Sequence, residues 1–190
     1  MICGRTPEEL LCEIQGFHGF VAPGLLIGAF MIDKAYKVID KTIEADAIVE
    51  TKHCLPDALQ IFTPCTVGNG WLKILDLDKF ALTLYDRHTL DGFRIWLDLD
   101  KAKNHPNIYN WFMGLVSKKD LPKDILIDAI FKAGSDILSW EKIHVVQYGS
   151  REKKGAINVC DLCHEAHAAS QGKTCFACQG HSYYDRLVMA

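Results

Sequence analysis

Two Cys-x-x-Cys pairs, Cys160/Cys163 and Cys175/Cys178, stand eleven residues apart near the end of this 190-residue chain. A knuckle of this spacing turns two sulfurs toward one cation, and two knuckles complete the closed four-sulfur shell of a structural zinc. So short a segment buries little core of its own, and the metal is expected to hold it together. The same four residues could instead form two disulfides, act as a redox pair or carry a [4Fe-4S] cluster. A disulfide framework belongs to small secreted domains, and a redox Cys-x-x-Cys normally stands alone. Zinc is therefore the expectation, with the identity of the metal less firmly fixed than its ligands. His164 and His167 are expected to lie outside the shell.

The remaining length suffices for one substantial core, and 49% apolar content is ordinary for a globular protein. A formal charge of -3 disfavours nucleic-acid binding across the whole surface without excluding a local patch. Glu8 and Glu9 stand where a secretory signal would be basic, and the apolar run 25–32 ends at Asp33 and Lys34, short of the ~20 residues of a membrane span. A cytoplasmic protein with no membrane partner is expected, where reducing conditions leave its eight cysteines available for metals.

Thr6-Pro7-Glu8-Glu9 supplies a hydroxyl cap, a first-turn proline and two acids, so a helix is predicted from there to about Gln15. A glycine-flanked loop carrying His18 follows, then a largely buried helix with Leu25, Ala29, Ile32, Tyr36 and Ile39 at helical spacing. Residues 45–51 read as a strand and 56–62 as a short helix, with Cys54 on the turn between them. The runs 71–77, 80–86 and 93–99 predict an antiparallel meander, 120–133 a helix closed by Gly134, and 143–148 a further strand. The fold expected is α+β, an antiparallel sheet with helices plus a small C-terminal zinc finger. The polar segment 149–155 divides the chain into a core domain, 1–150, and a four-cysteine finger, 155–190.

Within the core, His18, Cys54, Cys65 and Asp57 are the candidates for chemistry. Cys54 precedes a helix, whose positive end favours a thiolate and so a nucleophile or metal ligand. Cys65 lies in a Pro-Cys-Thr-Val-Gly-Asn-Gly turn. A buried thiol with no function is the common alternative for such residues. All three of His18, Cys54 and Cys65 are expected to converge on one cleft, with both thiols reduced and accessible.

The stretch His18-Gly19-Phe20-Val21-Ala22-Pro23-Gly24-Leu25 resembles the His-Gly-His-x-Cys-Pro-Gly-Leu segment of the FmdE family, named for a component of formylmethanofuran dehydrogenase. Cys54-Leu55-Pro56-Asp57-Ala58-Leu59-Gln60 is similar to its Cys-x-x-Asp-Ala-x-Gln segment, and Pro64-Cys65-Thr66-Val67-Gly68-Asn69-Gly70-Trp71-Leu72 to its Gly-Cys-Thr-x-Gly-Lys-Gly-Asn-Leu segment. The resemblance covers most of residues 10–100. It implies an accessory role in one-carbon metabolism rather than the tungsten or molybdenum catalyst, and a C-terminal finger of treble-clef type. Against the family pattern, Phe20 replaces a histidine, Ala22 a cysteine and Asn69 a lysine, which leaves His18, Cys54 and Cys65 as the obvious donors. A core that is metal-free or weakly occupied is expected. The expected partners are an oxidoreductase complex and a second copy of the chain. Two other readings stay open: a thiol- or metal-dependent enzyme using His18, Cys54 and Cys65, and a nucleic-acid- or protein-binding adaptor acting through the finger.

Overall fold

A computed structural model describes residues 1–39, 44–117, 119–146 and 155–184. The chain forms two compact units, Met1–Val146 and Gln147–Ala190. The junction expected at 149–155 falls largely on residues 147–154, outside the described residues. Mixed helices and sheet make up the first unit, as expected of an α+β protein. Among the described residues no helix is long and apolar enough to cross a membrane.

Helix α1, Pro7–His18, begins with a complete capping box: the Thr6 hydroxyl accepts from the Glu9 amide, and the Glu9 carboxylate accepts from the Thr6 amide. It runs three residues beyond the predicted end because Gly19, at φ 85°, closes it in the left-handed conformation. His18 is thus the last helical residue rather than a loop residue. Helix α2, Pro23–Val38, has ten buried residues distributed round its circumference, which makes it the central helix of the core.

Strand β1, Ala45–Val49, leads through a tight turn into α3, Leu55–Phe62. Gly28 of α2 lets α3 approach closely, since a Cβ there would lie 2.7 Å from the Ala58 Cβ, and a Cβ on Gly24 would lie 3.0 Å from the Cys54 sulfur. The i,i+4 glycine pair of α2 therefore has a packing role. After α3 come β2, Leu72–Ile74, β3, Ala81–Asp86, and β4, Asp91–Leu97. Short helices α4, Leu99–Ala102, and α5, Pro106–Phe112, precede α6, Lys123–Ala133, and β5, Leu138–His144.

The five strands form one sheet in the order β2-β1-β3-β4-β5. Strands β3, β4 and β5 are an antiparallel meander, with Leu82 opposite Ile95 and Leu97 opposite Leu138. The predicted meander is corrected at its first member. Strand β2 pairs parallel with β1, Ala47 opposite Leu72, on the side of β1 away from β3. The reason is the α3 crossover, which returns the chain in its original direction, as a parallel pair requires. Val49, Leu82, Leu84, Ile95 and Leu97 belong to the same buried cluster as Leu25, Leu26 and Met31 of α2.

The second unit holds β6, Ile157–Val159, paired antiparallel with β7, Ala166–Ala168, followed by the second cysteine knuckle.

Candidate metal centre and core site

The finger unit gathers its four cysteines through local backbone geometry. The amide of His164, at φ 61°, donates to the Cys160 carbonyl at 3.0 Å, which closes the first knuckle, and the Cys175 amide donates to the Cys160 sulfur at 3.4 Å. The sulfurs of Cys160, Cys163, Cys175 and Cys178 all lie within 4.8 Å of one another, and all eight cysteines of the chain are free thiols. Cys163 and Cys175 have their sulfurs 3.8 Å apart. A zinc ion with four bonds of about 2.3 Å gives tetrahedral edges of about 3.8 Å, so the spacing fits one ion. It is too close for a cubane cluster, whose four irons each carry one of the sulfurs.

Electrostatics point the same way. The backbone amides of Cys163 and Cys175 hold the Cys160 thiol down to about 6, whereas hydrogen bonding to the Cys175 sulfur and burial push Cys178 up to about 12. Four thiolates so close cannot all be charged without a cation at their centre. Among the described residues no histidine nitrogen joins the group. His167 is buried with Nδ1 3.0 Å from the Ala168 carbonyl oxygen; Tyr184 lines a cavity beside Cys163, Cys175 and Cys178, and both Tyr183 and Tyr184 are exposed.

In the core, His18 and Asp57 meet across 39 positions, with Nδ1 2.7 Å from Oδ2. A carboxylate only accepts, so Nδ1 carries the proton and Nε2 is left as the basic nitrogen of the neutral ring. Both side chains are partly exposed, at 21% and 33%. The Phe20 ring leans on that of His18, 4.7 Å between centroids.

Cys54 sits one turn before Asp57 in the turn between β1 and α3. That turn is fixed from several sides. The Arg94 guanidinium on β4 holds the buried Glu50 carboxylate at 2.5 and 2.9 Å, the Thr51 hydroxyl accepts from the His53 amide, and the Leu55 amide reaches the His53 carbonyl. So constrained, Cys54 adopts φ 56°, a conformation costing a non-glycine residue about 1–3 kcal/mol. Its sulfur faces Gly24 at the start of α2, where any larger residue would crowd it. The expectation of an activated thiol is corrected here: burial, and secondarily the Asp57 carboxylate, push the Cys54 thiol above its ordinary value and outweigh the helix end.

Cys65 does not join this group. It lies beyond the C-terminal end of α3, about 12 Å of helix away from Cys54, fully buried, with its thiol donating to the Ala45 carbonyl at 3.3 Å. Burial raises its thiol too, and its charged neighbours are Asp46 and Arg87 rather than His18 or Asp57. His18 meets Asp57, and the Asp57 carboxylate acts on the Cys54 thiol, but Cys65 joins neither of them and is inaccessible, so the expected meeting of His18, Cys54 and Cys65 fails at Cys65. Nothing local signalled this outcome: the eight-residue length of α3 separates the two thiols. Among the described residues no three core donors come as close as the finger cysteines do.

Residues 17–147 match the family model described as FmdE, Molybdenum formylmethanofuran dehydrogenase operon. The chain belongs to the FmdE family. Residues 151–185 match the FmdE treble clef zinc finger, which covers all four cysteines of the cluster. The FmdE core and finger together resemble a solved structure, that of a tungsten formylmethanofuran dehydrogenase FmdE-like protein from Syntrophus aciditrophicus. The likeness has a TM-score of 0.88 and 42% identity over 97% of each chain. A curated protein of Archaeoglobus fulgidus, described as a probable S-adenosyl-L-methionine-binding protein, is 33% identical over 107 residues. That match takes in 51% of this FmdE-family chain and only 29% of the archaeal protein's length.

Proposed function

We propose that this FmdE-family protein is an accessory component of one-carbon metabolism, associated with a tungsten or molybdenum formylmethanofuran dehydrogenase, and that its zinc is structural. The observation that carries the reading is the likeness along 97% of both chains to an FmdE-like protein named for that enzyme. The structural role of the zinc follows from the donor set, since four sulfurs complete a tetrahedral shell and leave no position for substrate. The expected result is a stable complex when the purified chain is mixed with a formylmethanofuran dehydrogenase preparation depleted of its own FmdE component, seen as co-elution in size-exclusion chromatography. Separate elution at micromolar concentrations of both would contradict the reading.

A second reading, an enzyme with a thiol–imidazole site, is favoured by the 2.7 Å contact between His18 and Asp57 beside Cys54. A carboxylate that orients an imidazole leaves the opposite nitrogen poised as a base. The Cys54 thiol stays protonated at neutral pH, so its chemistry would need that base to take the proton as the sulfur attacks. Asp57→Asn removes a charge that holds the Cys54 thiol up, so the pH of half-maximal alkylation by iodoacetamide, followed at Cys54 by peptide mass spectrometry, is expected to fall. An unchanged or rising midpoint would show that Asp57 exerts no charge effect on the thiol.

A further inference from the structure

The FmdE core carries a cleft that neither reading uses. Phe20, Trp111, Val116, Leu121 and Leu126 wall a space of about 330 Å³, and Lys123 stands at its edge. The volume falls within the roughly 300–1,000 Å³ typical of small-molecule sites, and walls that are mainly apolar with a few polar groups are their usual composition.

The walls are held in place from behind. Trp111 packs edge-on against Phe112 at 6.1 Å, and Phe112 packs likewise against Phe80 at 5.6 Å. Leu126 is buried in the core on α6. Phe20, by contrast, is 53% exposed, a large apolar ring left at the lip of the cleft. Leaving such a ring in water forgoes part of its burial, which an apolar ligand would recover.

Lys123 is the charged residue among those lining the cleft. Among the described residues no carboxylate pairs with Lys123, and its ammonium instead stands 5.8 Å from the centre of the Phe20 ring. The neighbouring hydroxyl is already committed, since Ser117 donates to the Asp120 carboxylate at 2.5 Å. Lys123 is thus the cation open to a ligand, directly beside an apolar ring.

We propose that this cleft binds a small planar apolar molecule bearing one anionic group, with its rings against Phe20 and Trp111 and its anion on Lys123. The inference rests on the cleft alone and stands or falls separately from the accessory and thiol–imidazole readings. Because Phe20 also touches the His18 ring, such a ligand would lie beside that histidine.

The test uses the zinc-loaded full chain and two fluorescent probes of nearly the same shape, 8-anilinonaphthalene-1-sulfonate and the neutral N-phenyl-1-naphthylamine. One equivalent of the sulfonate should bind per chain. Lys123→Gln, an exposed position, should weaken the sulfonate about tenfold and leave the neutral probe within about twofold. Phe20→Ala should weaken both, and Val116→Trp, which fills the cleft, should abolish both; circular dichroism confirms that each variant is folded. Sulfonate binding that ignores Lys123→Gln and Phe20→Ala, or that takes several weak equivalents per chain, would overturn the proposal. So would binding lost as the protein self-associates at higher concentration, because the cleft would then be a contact between copies of the chain.

Discussion

Stripping the metal with a chelator, or replacing Cys160 with serine, is expected to unfold residues 155–184 while the unit ending at Val146 keeps its cooperative melting transition. The finger's own apolar residues are largely outside its interior: Ile157, Val159, Leu162 and Phe176 are each more than half exposed. Two three-residue strands cannot offset the chain entropy of ordering such a segment, so the cation must supply the difference. Structural zinc sites of this kind contribute on the order of 10–16 kcal/mol at neutral pH. Hydrogen exchange with and without chelator reads the effect residue by residue. Loss of protection confined to the finger supports the account, whereas continued protection of the amides of Cys160 and Cys175 in the metal-free chain would contradict it.

The core is expected to lose stability in alkali, and its buried acids set the direction. Cys3, which donates from its sulfur to the Ala29 carbonyl at 3.3 Å, has its thiol pushed up to about 12 by burial and then by the Asp33 carboxylate. Burial also pushes Tyr36 up to about 12, and it raises Cys54, Cys65 and Tyr85. For each of these groups the folded value lies above the unfolded one, so the folded state holds the proton more tightly. Their contribution to stability is complete below the ordinary thiol range of about 8.5–9 and is lost as pH climbs from there toward 12. Each titrating group steepens the loss by up to about 1.4 kcal/mol per pH unit. Urea denaturation of the core should therefore be flat between pH 7 and 8 and fall steeply above pH 9, and Cys3→Ala should flatten the slope. A denaturation midpoint that stays constant to pH 11 would contradict this.

What could be read from the sequence was what depends on neighbours along the chain. The Cys-x-x-Cys pairs are local, so the four-cysteine group was legible with its members named. Thr6 and Glu9 are three residues apart, and the cap they predict is formed. The pairing of β2 with β1 was not legible, because 71–77 carries the same aromatic and branched residues as a meander strand, and only the α3 crossover decides its direction. Helix α5 went unpredicted because its seven residues, begun by Pro106, are too few to show a helical period. Strand β5 starts five residues before the predicted 143, since as an edge strand it is buried mainly where it begins, at Leu138.

The contacts of the core candidates were not legible. His18 and Asp57 meet through the packing of α1 against α3. The same helix that brings Asp57 to His18 carries the chain away before it reaches Cys65. The strain at Cys54 has no signature in its residue type, and neither does the cleft beside Phe20, whose walls come from the α1–α2 connection, α5, the segment that follows α5, and α6.

The central claim, a zinc-holding FmdE-family protein whose metal belongs to its finger, is tested most directly by metal analysis of the full-length chain and its Cys160→Ser variant. One zinc per chain is expected, with no iron and no visible chromophore, falling to zero in the variant. Zinc retained at one equivalent after Cys160→Ser would place the metal elsewhere and contradict the account, and iron with acid-labile sulfide in place of zinc would contradict it equally.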